Sequence, residues 1–135
     1  MPTLDTNILI RHLTADHPVH SPRARAFFQE VDAGGRTARL REAVLVETVH
    51  ILSSKRLYNL PRQQIADDLS ELIRMPGLRL SPKRLYLRAF ALYTQHAQLS
   101  FVDSLLAAAA EREDGIVISF DVEYRRVSSI TRVEP

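Results

Sequence analysis

No cysteine occurs among the 135 residues. That excludes a disulfide framework and any thiolate zinc site. No apolar stretch approaches the roughly 20 residues that a membrane helix needs, so no membrane span is expected. The opening residues, Met1-Pro2-Thr3-Leu4-Asp5, lack a basic segment followed by an apolar run. A secretory signal is therefore not expected either, and the chain reads as a soluble, cytoplasmic protein. Internal repeats and low-complexity tracts are absent. Lysine is almost missing: apart from Lys55 and Lys83, every one of the 18 basic residues is arginine. What is present is ordinary for a globular protein, with 45% apolar and 25% charged residues. The length suits one domain with a real core, expected over residues 1–135.

The formal charge is +2, with an isoelectric point near 9.3. Arginine grips phosphate through a bidentate fork, so an RNA or DNA partner is conceivable. The same bias can be a compositional habit of the source genome, and a net charge this small does not decide between them.

Apolar periodicity lays out alternating strands and helices. Thr3-Leu4 is a short strand, with Asp5 as cap of a helix over 8–13. Ser21-Pro22 reads as N-cap and first position of a second helix, with Ala24, Phe27, Phe28 and Val31 on one face and a stop at Gly34-Gly35. A strand at 38–40 precedes a dense apolar helix over 43–52. Leu60-Pro61 opens a helix carrying Ile65, Leu69, Leu72 and Ile73 on one face, followed by a strand at 78–80. Ser81-Pro82 and Ser100 cap two more helices. Residues 116–120 form the clearest buried strand, and 130–133 the last one. Such alternation argues for an α/β fold with a mainly parallel sheet covered on both faces.

Against this pattern stand Asp5, Glu47, Asp103 and Asp121, each beside or inside an apolar run. A carboxylate on a core face is expensive to ionise, and several that converge repel one another unless a cation lies between them. Each also has a plain structural alternative. Asp5 can cap a helix, Asp103 sits in a first helical turn where the macrodipole favours it, and Asp121 can be a turn residue. Glu47 has the weakest alternative, a rim position reaching water. Its neighbours at helical spacing are Ala43, Val44, His50 and Ile51, and none is oppositely charged. The expectation is that all four meet at one edge of the sheet, beyond the carboxyl ends of its strands.

At these positions the chain resembles PIN domains, specifically the VapC-type toxin ribonucleases of toxin–antitoxin pairs. Leu4-Asp5-Thr6-Asn7 is similar to the opening motif of that family. Val46-Glu47-Thr48-Val49-His50-Ile51-Leu52 resembles the helix bearing its second acid, Phe101-Val102-Asp103-Ser104-Leu105 its third motif, and Ser119-Phe120-Asp121 its fourth. The stretch Arg39-Leu40-Arg41-Glu42 departs from the small polar residue that often precedes the helix bearing the second acid. The resemblance implies a three-layer α/β/α fold with a central mainly parallel sheet and a Mg²⁺- or Mn²⁺-dependent endoribonuclease. It places Asp5, Glu47, Asp103 and Asp121 around the metal, with Thr6, Asn7 and Ser119 orienting water or carboxylates and Glu123 as an accessory acid. It further implies a homodimer and a cognate antitoxin covering the site.

Oxygen-only ligands suit Mg²⁺ and Mn²⁺, and a hard cation can neutralise phosphate charge and acidify water, so no protein nucleophile is required. Arg11, Arg41 and Arg125 are candidates to hold flanking phosphates. His12, His17 and His20 read as solvated loop residues, not a zinc cluster. Glu47-x-x-His50 matches a di-iron half-motif, but only one copy is present. The competing functional class is a non-catalytic PIN-like module that binds RNA or protein. Phe27, Phe28, Ile65, Leu69 and Leu72 are candidate lining for an antitoxin helix, unless they prove to be core.

Overall fold

A computed structural model describes residues 1–135, and its backbone gathers into two compact units, Met1–Ser81 and Pro82–Pro135. In the first unit the order is α1 (Thr6–Thr14), α2 (His20–Asp32), β1 (Ala38–Arg39), α3 (Glu42–Ser53), α4 (Arg62–Ile73) and β2 (Leu78–Arg79). Strands β1 and β2 are parallel, with Ala38 opposite Leu78. On the other edge of β1, Thr3 forms a parallel bridge with Arg39. Leu4 N donates to Arg39 O at 2.9 Å and Arg39 N to Pro2 O at 2.8 Å. Parallel neighbours need crossovers, and the intervening helices supply them. The sheet therefore delivers the chain directly from Leu4 into α1, with Asp5 at the junction.

Asp5 is extended (φ −94°) and its side chain accepts the N–H of Thr6, so α1 begins two residues earlier than expected. The start of α2 differs more. Its first residue is His20, which places Ser21 inside the first turn and buries it. Ser21 Oγ accepts from His17 N at 3.1 Å, while His17 Nδ1 accepts from Val19 N at 3.2 Å and His20 N at 2.9 Å. An imidazole, not the serine, satisfies the free N–H groups at this end. Phe28, Ile65, Leu69 and Leu72 are fully buried, so they are core and not a groove for a partner helix. Phe27 alone of that set is only half-buried.

The second unit runs α5 (Lys83–Gln95), α6 (Phe101–Glu111), β3 (Ile116–Ile118), a 3₁₀ turn (Val122–Arg126) and β4 (Thr131–Val133). Phe90, Tyr93 and Phe101 join α5 to α6, the Phe90 and Phe101 rings stacking at 4.5 Å. Pro82, not Ser81, occupies the cap position of α5, and no side chain caps it. Strand β3 pairs in parallel with β4, Ile116 opposite Thr131. Contrary to expectation this is no buried strand: Ile116, Ile118 and Phe120 are 46%, 69% and 75% exposed. A β-branched run sets strand propensity, but burial depends on what covers the face. Ile116 and Ile118 share one side by the period of two, and that side is left largely open to solvent. No helix is long and apolar enough to cross a membrane.

Candidate functional site

Within the first unit the candidates are Asp5, Thr6 and Glu47. Asp5 Oδ1 accepts the backbone N–H of Thr6 at 2.7 Å, and Thr6 Oγ1 donates to Glu47 Oε2 at 2.9 Å. Thr6 is buried in the first turn of α1, which packs against α3. Its two donors thus hold two carboxylates, one from the preceding residue and one 41 residues further along the sequence. Asn7 follows on the exposed side of α1.

Glu47 is exposed, which overturns the expectation of a core-facing charge. Helix α3 is apolar nearly all round, so its sequence leaves the buried side open. Packing selects Leu45, Thr48, Val49 and Leu52 for the interior, and the face through Ala43, Glu47 and His50 is left to water. Asp5 and Asp121 are exposed as well, and Asp103 is half-buried. The case for a site therefore rests on which groups meet, not on the cost of burying them.

Within the second unit the candidates are Asp103, Ser119, Asp121 and Glu123. Asp103 forms a capping box with Ser100: its N–H donates to Ser100 Oγ at 3.1 Å, and Ser100 N donates to Asp103 Oδ2 at 3.3 Å. Its other oxygen accepts from the Tyr124 hydroxyl at 3.1 Å. Burial first, then the Asp103 charge, pushes the Tyr124 hydroxyl well above its ordinary range, so it stays a donor. Asp121 opens the 3₁₀ turn and donates its N–H to Ser119 Oγ at 2.9 Å. Arg132 braces the same turn, Nη1 donating to Ser119 O at 2.9 Å. A hydrogen bond with Asp121, then the Asp121 charge, raises the Glu123 carboxyl, and Asp103 adds a smaller push. The neighbouring Asp121 and Glu123 carboxyls repel one another when both are ionised, a situation a cation relieves. Tyr124 and Arg132 belong to no motif, and their roles depend on the turn that brings them back to α6 and Ser119.

The remaining candidates divide. Arg11 lies near Asp5 on a cavity of about 650 Å³ lined from α1 and α2. Arg41 is the cap residue of α3 and Arg125 an exposed residue of the 3₁₀ turn. His17 and His20 stack on each other at 4.0 Å. His12 is not a loop residue: it lies on α1, partly buried, with its ring 4.5 Å from that of Phe28.

No group of three or more His, Cys, Asp or Glu side chains is arranged to hold a metal ion. In kind the donors still fit a hard divalent cation, being carboxylates and hydroxyls with no thiolate. Mg²⁺ binds through one or two carboxylates plus substrate phosphate, without an all-protein cage.

The family model of the PIN domain matches residues 3–130, a span that takes in both units and all four acids. No curated protein matches the chain. Six helices and short parallel strands fit the three-layer α/β/α architecture of that family.

Proposed function

The chain belongs to the PIN-domain family, which implies a nuclease fold, and from that premise we propose that it is a Mg²⁺- or Mn²⁺-dependent endoribonuclease, the VapC-type toxin of a toxin–antitoxin pair. The observation that carries the reading is the double grip of Thr6 on Asp5 and Glu47. A helix start that needs only one cap instead binds a second carboxylate from a distant helix, and that holds two hard oxygen donors in fixed orientation.

Asp5, Glu47, Asp103 and Asp121 are assigned to the cation. When bound, it would neutralise phosphate charge and acidify water. Thr6 fixes the Glu47 carboxylate, and Tyr124 with Ser100 fixes that of Asp103. Ser119 sets the turn that presents Asp121, with its carbonyl held by Arg132. Asn7 stands beside Asp5 to orient water or RNA. Glu123, whose affinity for its proton is raised by Asp121, is the accessory acid. A homodimer and a cognate antitoxin complete the proposal.

The test is incubation of antitoxin-free protein with structured RNAs and Mg²⁺ or Mn²⁺, with EDTA and Asp5→Asn as controls. Internal cleavage that needs both the cation and Asp5 supports the reading. Cleavage that survives either control removes it, and binding without cleavage makes the chain a non-catalytic RNA module.

A further inference from the structure

The cavity of about 650 Å³ beside Asp5 is unlike the rest of the first unit. It presents three guanidinium groups, Arg11, Arg23 and Arg36, against the single carboxylate of Asp5. Arg11 and Arg36 are each restrained by an ion pair, to Asp16 at 3.1 Å and to Glu30 at 3.3 Å, and neither acid lines the cavity. Arg23 has no such partner and is exposed. In the same wall the half-buried ring of Phe27 packs edge-on against the fully buried Phe28, and Arg36 Cζ lies 4.8 Å over the Phe27 ring. The Arg36 guanidinium plane, backed by the Phe27 ring that Phe28 holds in turn, makes a platform on which a base can stack. The unpaired guanidinium fork of Arg23, with the Arg11 charge beside it, suits the phosphate that accompanies the base. The volume lies within the ~300–1,000 Å³ range of small-ligand sites.

We infer that this cavity is a subsite for one unpaired ribonucleotide flanking the cut. The phosphate rests on Arg11 and Arg23, and the base stacks on the Phe27–Arg36 pair. The inference rests on the ribonuclease reading for the meaning of Asp5, and it deepens that reading by assigning the nucleotide beside the cut to Arg11, Arg23, Phe27 and Arg36. A base-paired nucleotide cannot offer a free face to a ring recessed between α1 and α2.

The test is fluorescence anisotropy of short labelled single-stranded oligoribonucleotides with the full chain in EDTA, so that binding is read without cleavage. Arg23→Gln should weaken binding about tenfold and lower the salt slope by about one unit, as loss of one phosphate contact does. Phe27→Ala should weaken it about tenfold or more with the salt slope unchanged, and Phe27→Tyr should bind within about threefold of the native chain, because stacking is restored. Arg23 is exposed and its replacement does not threaten folding. Failure of the native chain to bind a single strand, or equal binding by Arg23→Gln and Phe27→Ala, overturns the subsite. So does an oligoglutamate peptide that binds as tightly as RNA with Phe27→Ala neutral for both, which would give the cavity to an acidic protein segment. Because no metal is present, a failed cleavage assay leaves these outcomes readable, and cleavage that ignores both substitutions sinks the subsite alone.

Discussion

Thr6 Oγ1 donates to Glu47 Oε2 at 2.9 Å, which ties the first turn of α1 to the exposed face of α3. Only the hydroxyl makes this bond, while the backbone N–H of the same residue serves Asp5. The two carboxylates can therefore be separated by experiment. Thr6→Val should keep the Asp5 cap and release Glu47. Because Glu47 is exposed, water replaces the lost partner and the stability cost should stay near 1 kcal/mol. RNA cleavage should fall about 10–100-fold, as when a residue that orients a metal ligand is removed, mainly in kcat. Thr6→Ser should retain most activity. A Thr6→Val enzyme with native kcat would mean that the orientation of Glu47 does not matter to the reaction.

The grip of Thr6 on Glu47 shows where sequence reasoning stops. Local devices were legible: Asp5 capping α1 and Ser100 capping α6 are decided within four residues, and the structure has both. The four acids could be found because charged residues interrupt apolar runs. Which way Glu47 faces could not, since α3 offers apolar residues on every side and only packing selects one. The exposure of Ile116 and Ile118 was hidden for the same reason: the run specifies a strand, not its cover. Ser21 failed as a cap because the helix starts one residue earlier: His17 Nδ1 accepts the Val19 and His20 N–H groups, and Ser21 Oγ turns back to the His17 N–H. The Phe27–Arg36 platform joins residues of a helix and the loop after it, with no spacing rule to announce it.

Gly77 carries a backbone constraint that a single methyl group tests. Its N–H donates to Val31 O at 2.9 Å, and its carbonyl accepts from Ala38 N at 3.0 Å, at the entry to β2. A Cβ there would overlap the Arg36 carbonyl oxygen and stand 2.7 Å from Val31 O. Both obstacles are backbone, so neither can swing aside. Gly77→Ala should cost at least about 1–3 kcal/mol in urea unfolding. Gly35→Ala is the matched control, since its nearest neighbour would be Glu30 O at 3.9 Å, and it should change stability by less than about 0.5 kcal/mol. Equal effects of the two substitutions would refute the steric account.

Ser100 and Tyr124 both hold Asp103, but for different ends. Ser100 caps α6 through the Asp103 N–H, whereas Tyr124 touches only the carboxylate. Ser100→Ala should lower stability by about 1 kcal/mol, the usual value of a cap. Tyr124→Phe leaves the cap intact and removes a hydrogen bond from the carboxylate assigned to the cation. It should raise the Mg²⁺ concentration needed for half-maximal cleavage about tenfold or more, a readout that a loss of packing alone would not shift. An unchanged Mg²⁺ requirement in Tyr124→Phe would detach the tyrosine from the site.

His12 gives the first unit a pH dependence of definite sign. Its ring packs on Phe28, and its Nδ1 is buried without a partner. Burial first, then the nearby Arg25, lowers its pKa, with Glu71 opposing them. Unfolded, the imidazole titrates near its ordinary value of about 6.5. Between the lowered folded value and that one, the unfolded chain binds more protons than the folded chain, so stability rises with pH. The contribution of His12 is complete above about pH 6.5 and is lost as the pH falls below it, until the folded imidazole also takes its proton. His12→Leu keeps apolar contact with Phe28 and removes both the orphaned nitrogen and the titration. Urea unfolding at pH values on either side of 6.5 should therefore show the native chain losing stability relative to His12→Leu on acidification. Parallel pH profiles for the two proteins would place the sensitivity at some other group.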